Sequence, residues 1–147
     1  MRNEEYKPYR YKGWIRQAHF DLEAAKMSYN NKFYEWACFQ CEQCGEKALK
    51  AVMAFSGIRP PKLHKLPILI GLVKRARPEI KKSFIDIDTL QAYTFVSRYP
   101  FIIPGDNLSP HDLVTIQNAE DCINEATSVL RFIGNILDYS HDETRRF

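Results

Sequence analysis

Arg98 and Tyr99 stand directly before a stretch that is both apolar and rich in proline, and they are the first residues whose types suggest binding chemistry. A guanidinium is a planar fork of donors that matches a phosphate, and a ring such as Tyr93 or Tyr99 can stack on a base. The alternative for Arg98 is a bond to the last carbonyls of its own helix or to a carboxylate. His64 suits acid or base work near neutral pH, with capping or packing beside the next helix as the alternative. Cys38, Cys41 and Cys44 recur at every third position and look at first like metal ligands. On a continuous helix they fan out at about 100° per residue, whereas metal-binding cysteines converge from loops. No fourth ligand accompanies them, so they read as small buried fillers, and no metal or cofactor is expected. Asp21 borders an apolar stripe and reads as a bond to a neighbouring helix. His19 and His111 have no evident partner, and His111 reads as exposed. No G-x-S-x-G, G-x-x-x-x-G-K or G-x-G-x-x-G pattern is present, so nucleophilic hydrolases and P-loops find no support.

The chain has 147 residues, 45% of them hydrophobic, which fits one globular domain with a real core. With 21 basic and 18 acidic side chains, the net charge of +3 is too small to imply nucleic acid by itself. Lys62, Lys65, Lys74, Arg75, Arg77, Lys81 and Lys82 concentrate charge mid-chain and read as a solvated helix face. No apolar run approaches the ~18 residues of a membrane span. The opening MRNEEYKPYRYKG lacks the apolar core of a secretory signal, so a cytoplasmic location is expected. The four cysteines are not expected to form a disulfide framework in so large and so helical a cytoplasmic chain.

Periodicity supplies the elements that must position these residues. From Tyr11, the apolar stripe Trp14, Ala18, Leu22, Ala25, Tyr29 predicts a helix that Asn30 and Asn31 end. A second helix runs from about Phe33 to Ser56, with the stripe Phe33, Ala37, Cys41, Cys44, Ala48, Ala51, Phe55 and a solvent face of Glu42, Gln43, Glu46, Lys47 and Lys50. Glu46 and Lys50 have the spacing of an exposed ion pair, and Gly57 supplies the stop. A proline loop follows. A third helix starts near Lys65 or Leu66, buries Leu66, Leu69, Ile70 and Val73, and ends by Pro78. The fourth spans about Ile87 to Ser97, with Asp86 as its cap. A fifth starts on Ser109, Pro110 and Asp112 and runs to about Tyr139 with two apolar rows, which predicts burial on more than one side. The fold class is all-α, an up-and-down bundle of four or five helices. Residues 1–147 form a single domain with a loose arm at 1–10 and a frayed tail at 141–147.

The first helix, with Trp14 followed by Ala18-His19-Phe20-Asp21-Leu22-Glu23-Ala24-Ala25, resembles the W…AxxDLxxA opening of HEPN domains. The second, from Tyr34 to Ala51, resembles the family signature YxxAxFxxQQAxEKALKA. His64 with the leucine-rich helix after it, and Arg98-Tyr99-Pro100, match further elements, so the resemblance covers residues 11 to 135. It implies a helical bundle that forms homodimers and a cleft between subunits that binds nucleotide or RNA. In that setting Glu46, Lys47 and Lys50 form a polar ridge, with Lys50 on phosphate and Glu46 orienting it. Many prokaryotic relatives pair with a small nucleotidyltransferase as toxin and antitoxin, and many are metal-independent ribonucleases with a late R-x4–6-H motif. Here Arg131 has no histidine at that distance, and His141 lies too far away. The literal match Arg59–His64 sits in a proline loop. The resemblance therefore points to a nucleotide- or RNA-binding accessory rather than an enzyme, with Arg98 and His64 as the only catalytic candidates. The alternatives are a ribonuclease toxin and a protein–protein adaptor.

Overall fold

In a computed structural model the described residues are 9–82, 86–100, 103 and 105–141, with the side chains of Lys81 and Lys82 also left aside. Most of the expected N-terminal arm, and the tail beyond His141, fall outside them. Helices α1 (Tyr11–Asn30), α2 (Tyr34–Phe55), α3 (Leu66–Ala76), α4 (Asp88–Val96), α5 (Pro110–Leu113) and α6 (Ile116–Leu137) account for most of the chain, with a 3-10 turn at Pro78–Lys82. No strand occurs among the described residues, and the architecture is a helical bundle.

The turn between α1 and α2 follows from its asparagines. Asn31 Nδ2 donates to the Met27 carbonyl at 2.8 Å, and Lys32 takes a positive φ of 67°. At the far end of α2, Gly57 adopts φ 80°, and Ile58 N–H returns to the Met53 carbonyl at 2.9 Å. That left-handed residue closes the helix, as glycine does most cheaply.

The expected stripes are largely buried. Ala18, Leu22 and Ala25 of α1 face Ala37, Cys41, Cys44, Ala48 and Ala51 of α2, and Ala119, Cys122, Ala126, Val129 and Ile133 of α6 complete the core. Small side chains let these three helices approach closely. Expectations about α2 need correction. α6 packs against α1, α2 and α4, but the most enclosed helix is α2, which touches every other α-helix. Its predicted solvent face is consequently not solvated: Glu42, Glu46 and Lys50 are buried. Phe33, placed on the buried stripe, is exposed instead.

The expected long fifth helix is also two helices. α5 is a single turn in which the Asp112 carboxylate accepts from the Ser109 backbone N–H and hydroxyl, at 2.9 and 2.8 Å. Val114 and Thr115 are extended, and Thr115 restarts the chain as α6. Its hydroxyl accepts from Asn118 N–H at 3.1 Å while Asn118 Oδ1 accepts from Thr115 N–H at 2.9 Å. This reciprocal cap satisfies two otherwise orphaned donors, and its Thr-x-x-Asn signature lies inside an apolar pattern that masks it. At α4 the expected Asp86 cap bonds Asp88 N–H at 3.0 Å. The next two amides, of Thr89 and Leu90, are taken by Glu125 of α6 at 3.3 and 2.7 Å.

Candidate functional site

A groove of about 920 Å³ opens between α2, the segment leading into α3, and the C-terminal half of α4. Phe39, Glu42 and Gln43 of α2 form its floor, Lys62 to Ile68 one wall, and Gln91, Thr94, Phe95 and Arg98 the other. It therefore brings together His64 and Arg98, which are 34 positions apart in the chain.

Arg98 makes the bond to a carbonyl of its own helix that is the alternative reading of its role. Its Nε donates to the Thr94 carbonyl one turn back at 3.1 Å, which anchors the side chain to α4. The guanidinium then lies over the Phe39 ring, 4.5 Å from the centroid, and over Tyr99 at 5.0 Å. Stacking on the two rings restrains the plane of the guanidinium. Tyr99 is exposed, whereas Tyr93 is half-buried against the core, and burial pushes its phenol above the ordinary value.

The polar ridge of α2 is split by the fold. Lys47 leaves the groove and pairs with Asp21 of α1 at 2.7 Å, the neighbouring-helix bond expected of that aspartate. Lys50 is buried against Glu46 at 2.9 Å and lies over the Trp14 ring at 5.6 Å. It holds Glu46 rather than an incoming phosphate. The same Glu46 oxygen meets His64 Nδ1 at 3.0 Å. The surface ion pair expected from spacing is thus the buried base of a Lys50–Glu46–His64 chain, whose imidazole stays exposed at the groove. His64 does not cap α3.

Sequence reasoning missed Phe39, Glu42, Gln43 and Phe95 as site residues. Glu42 is 1% exposed, and burial raises its carboxyl to about 7, with Glu46 adding repulsion and Gln43, Arg98 and His64 opposing the shift. Residues 39, 42, 43 and 46 share one helical face with an aromatic at its head, and that spacing was the available signal. The literal Arg59–His64 pair is not assembled: Arg59 lines a separate depression with Ile58, Pro61 and Leu72. The mid-chain basic cluster divides likewise, Lys62 and Lys65 going to the groove and Arg75 to that depression.

The remaining candidates are structural. Cys38, Cys41, Cys44 and Cys122 are free and buried, and burial pushes the Cys41 and Cys44 thiols far up. His111 is exposed and meets the Glu35 carboxylate at 3.0 Å, which raises its pKa. His19 stacks on His141 with ring centroids 4.3 Å apart. Among the described residues no group of three or more His, Cys, Asp or Glu side chains is arranged to hold a metal ion. Nor is any helix there long and apolar enough to cross a membrane.

The profile of the HEPN domain matches residues 11–136. The chain belongs to the HEPN domain family. Among solved structures, TT1696 from Thermus thermophilus superposes with a TM-score of 0.70 at 25% identity, covering 86% of this chain and 98% of that one. The archaeal HEPN homologue ST0689 gives a TM-score of 0.61 at 30% identity, over 87% of this chain and 98% of that one. A similar relative is the Methanocaldococcus jannaschii protein named "Putative toxin MJ1304", 28% identical over 134 residues, 84% of this chain and 86% of that protein. HEPN membership accounts for the helical bundle and for the matched signature in α2.

Proposed function

We propose that this HEPN protein binds a nucleotide or a single-stranded RNA segment in the α2–α3–α4 groove, as an accessory rather than an enzyme. One observation carries the reading: Arg98, stacked and aimed by Phe39, Tyr99 and the Thr94 carbonyl, shares a groove with His64, Lys62 and Lys65. The arginine supplies a fixed fork for phosphate, the lysines add mobile positive charge, and the exposed ring of Phe95 offers a face for a base. The protein works as a homodimer, with the groove forming one half of a cleft between subunits. Exposed Phe33, Trp36, Leu113 and Ile116 offer apolar surface for such a contact. A small nucleotidyltransferase is the further partner in this reading.

Binding of nucleoside monophosphates and short RNA by calorimetry or fluorescence tests it. Arg98→Ala is expected to weaken binding about tenfold or more, as loss of a charge-assisted phosphate contact does, with a shallower salt dependence than the native chain. Binding unchanged in Arg98→Ala would remove the groove from the proposal. A second reading, a metal-independent ribonuclease toxin, is favoured by the Glu46–His64 pairing beside Arg98 and by the name of the archaeal relative. It requires RNA cleavage that survives chelation and disappears in both Arg98→Ala and His64→Ala.

A further inference from the structure

The buried ion pair of α2 ends on a side chain that water reaches. Glu46 and Lys50 are 4% and 3% exposed, whereas the His64 side chain is 73% exposed. Apolar residues of the same volume often stabilise an interior as well as such a pair, so stability alone does not account for charges at these positions. Both oxygens of Glu46 are engaged. Oε2 accepts from Lys50 Nζ at 2.9 Å and meets His64 Nδ1 at 3.0 Å, and Oε1 accepts from Gln43 Nε2 at 3.5 Å. A carboxylate paired with an ammonium only accepts, so His64 makes its bond by carrying a proton on Nδ1. Nε2, across the ring, is then the nitrogen left for the groove. It accepts in the neutral ring and donates in the protonated one. Around it stand Glu42 beside Glu46 on α2, Lys62 and Lys65 on its own segment, and Arg98 after α4.

We propose that Glu46, braced by Lys50, is the positioning residue of this groove: it holds His64 with Nε2 free for a phosphate, so that phosphate binding takes up a proton on that imidazole. This deepens the nucleotide- or RNA-binding reading above and rests on it. A guanidinium stays charged at any working pH, whereas an imidazole changes charge between about pH 5 and 8. The protonated ring adds a second charge-assisted donor to the groove that holds Arg98. The neutral ring turns a lone pair toward the phosphate and adds none. Affinity for a phosphate therefore falls as pH rises through that range. The buried Glu42 carboxyl, raised to about 7, tilts affinity the same way, and the experiment separates the two.

The test is calorimetric titration of the full chain between pH ~5.5 and ~8 with a short RNA that lacks terminal phosphates, because diester phosphates keep their charge across that range. The native protein is expected to bind about tenfold tighter at the acid end, with net proton uptake, as one added charge-assisted donor implies. His64→Gln is expected to flatten that profile. So is Glu46→Gln combined with Lys50→Met, which removes both buried charges together. A double variant that melts at a lower temperature but keeps the native pH slope would make Glu46 structural only and overturn the proposal. A slope that survives in His64→Gln and disappears in Glu42→Gln would overturn it too, by assigning the proton to Glu42. A flat native profile, with binding weakened by Arg98→Ala, would end the proton linkage and leave the groove reading standing. No binding at any pH would overturn both. If the double variant fails to fold, nitrogen NMR of the native ring decides: the neutral His64 is expected to carry its proton on Nδ1, and a proton on Nε2 instead would refute positioning by Glu46.

Discussion

Glu42 is a carboxyl group enclosed by protein, and its stability signature follows from that. Its pKa moves from 4.5 in the open chain to about 7 in the fold, chiefly through burial. Between those values the folded chain keeps a proton that the unfolded chain has lost, so this group makes stability fall as pH rises, with the full penalty above about 7. The shift corresponds to roughly 3 kcal/mol at most. Glu42→Gln removes it: the melting temperature of the variant should exceed that of the native chain by a gap that is small near pH ~4.5 and widens to about pH 8. A gap independent of pH would show the carboxyl to be solvated. His19 has the opposite sign. Burial, and then the neighbouring His141, pull it from 6.5 down to about 4. Its contribution is intact above 6.5 and is lost as pH falls toward 4, because only the unfolded chain accepts the proton across that window. His19→Phe should flatten the acid limb of the melting-temperature profile.

At the scale of elements, the chain's helix ends are held by two kinds of cap. Thr115 caps α6 locally, and Thr115→Ala should cost about 1 kcal/mol in denaturant unfolding. Glu125 caps α4 from another helix, which ties the start of α4 to α6. Glu125→Ala removes the acceptor for the Thr89 and Leu90 amides. It should speed hydrogen exchange at those two positions and cost about 1–2 kcal/mol, more than the local cap because docking is lost with it. Since Gln91, Thr94, Phe95 and Arg98 ride on or just beyond α4, the same variant should also weaken ligand binding in the groove. Exchange at Thr89 and Leu90 unchanged from the native chain would show that α4 is held by its apolar contacts alone. Gly45 serves that docking in another way. A Cβ there would lie 3.0 Å from Leu90 Cδ1, so the bare backbone of α2 leaves room for that buried methyl of α4.

For the whole molecule, α2 runs through the middle and the other helices surround it. All four cysteines lie in the layers between α2 and its neighbours. A thiol reagent in excess should therefore label none of them in the folded protein, and all four together on global unfolding, with a rate that tracks stability. Labelling of Cys38, Cys41 or Cys44 under native conditions would contradict the central position of α2. The three-residue turn between α1 and α2 makes that helix pair local in sequence, which favours its rapid formation, whereas the α2–α6 layer joins distant segments.

The order of residues alone specifies the helical class, the ends of α1 and α2, the buried alanine and cysteine stripe, and membership in the HEPN family. Each of these is set by local chemistry or by a period of about 3.6, and both are written in consecutive residues. It also singled out Arg98 and His64, because their residue types announce what they can do. Packing of distant segments encloses α2 on both faces, which turned Glu46 and Lys50 from a surface pair into a buried brace for His64. It likewise decided that Lys47 serves Asp21 and that Glu42 lies unsatisfied beneath a groove. A helix's own periodicity fixes which residues share a face. Which solvent that face meets, water or protein, depends on segments far away in the chain, here the α3 approach and the end of α4.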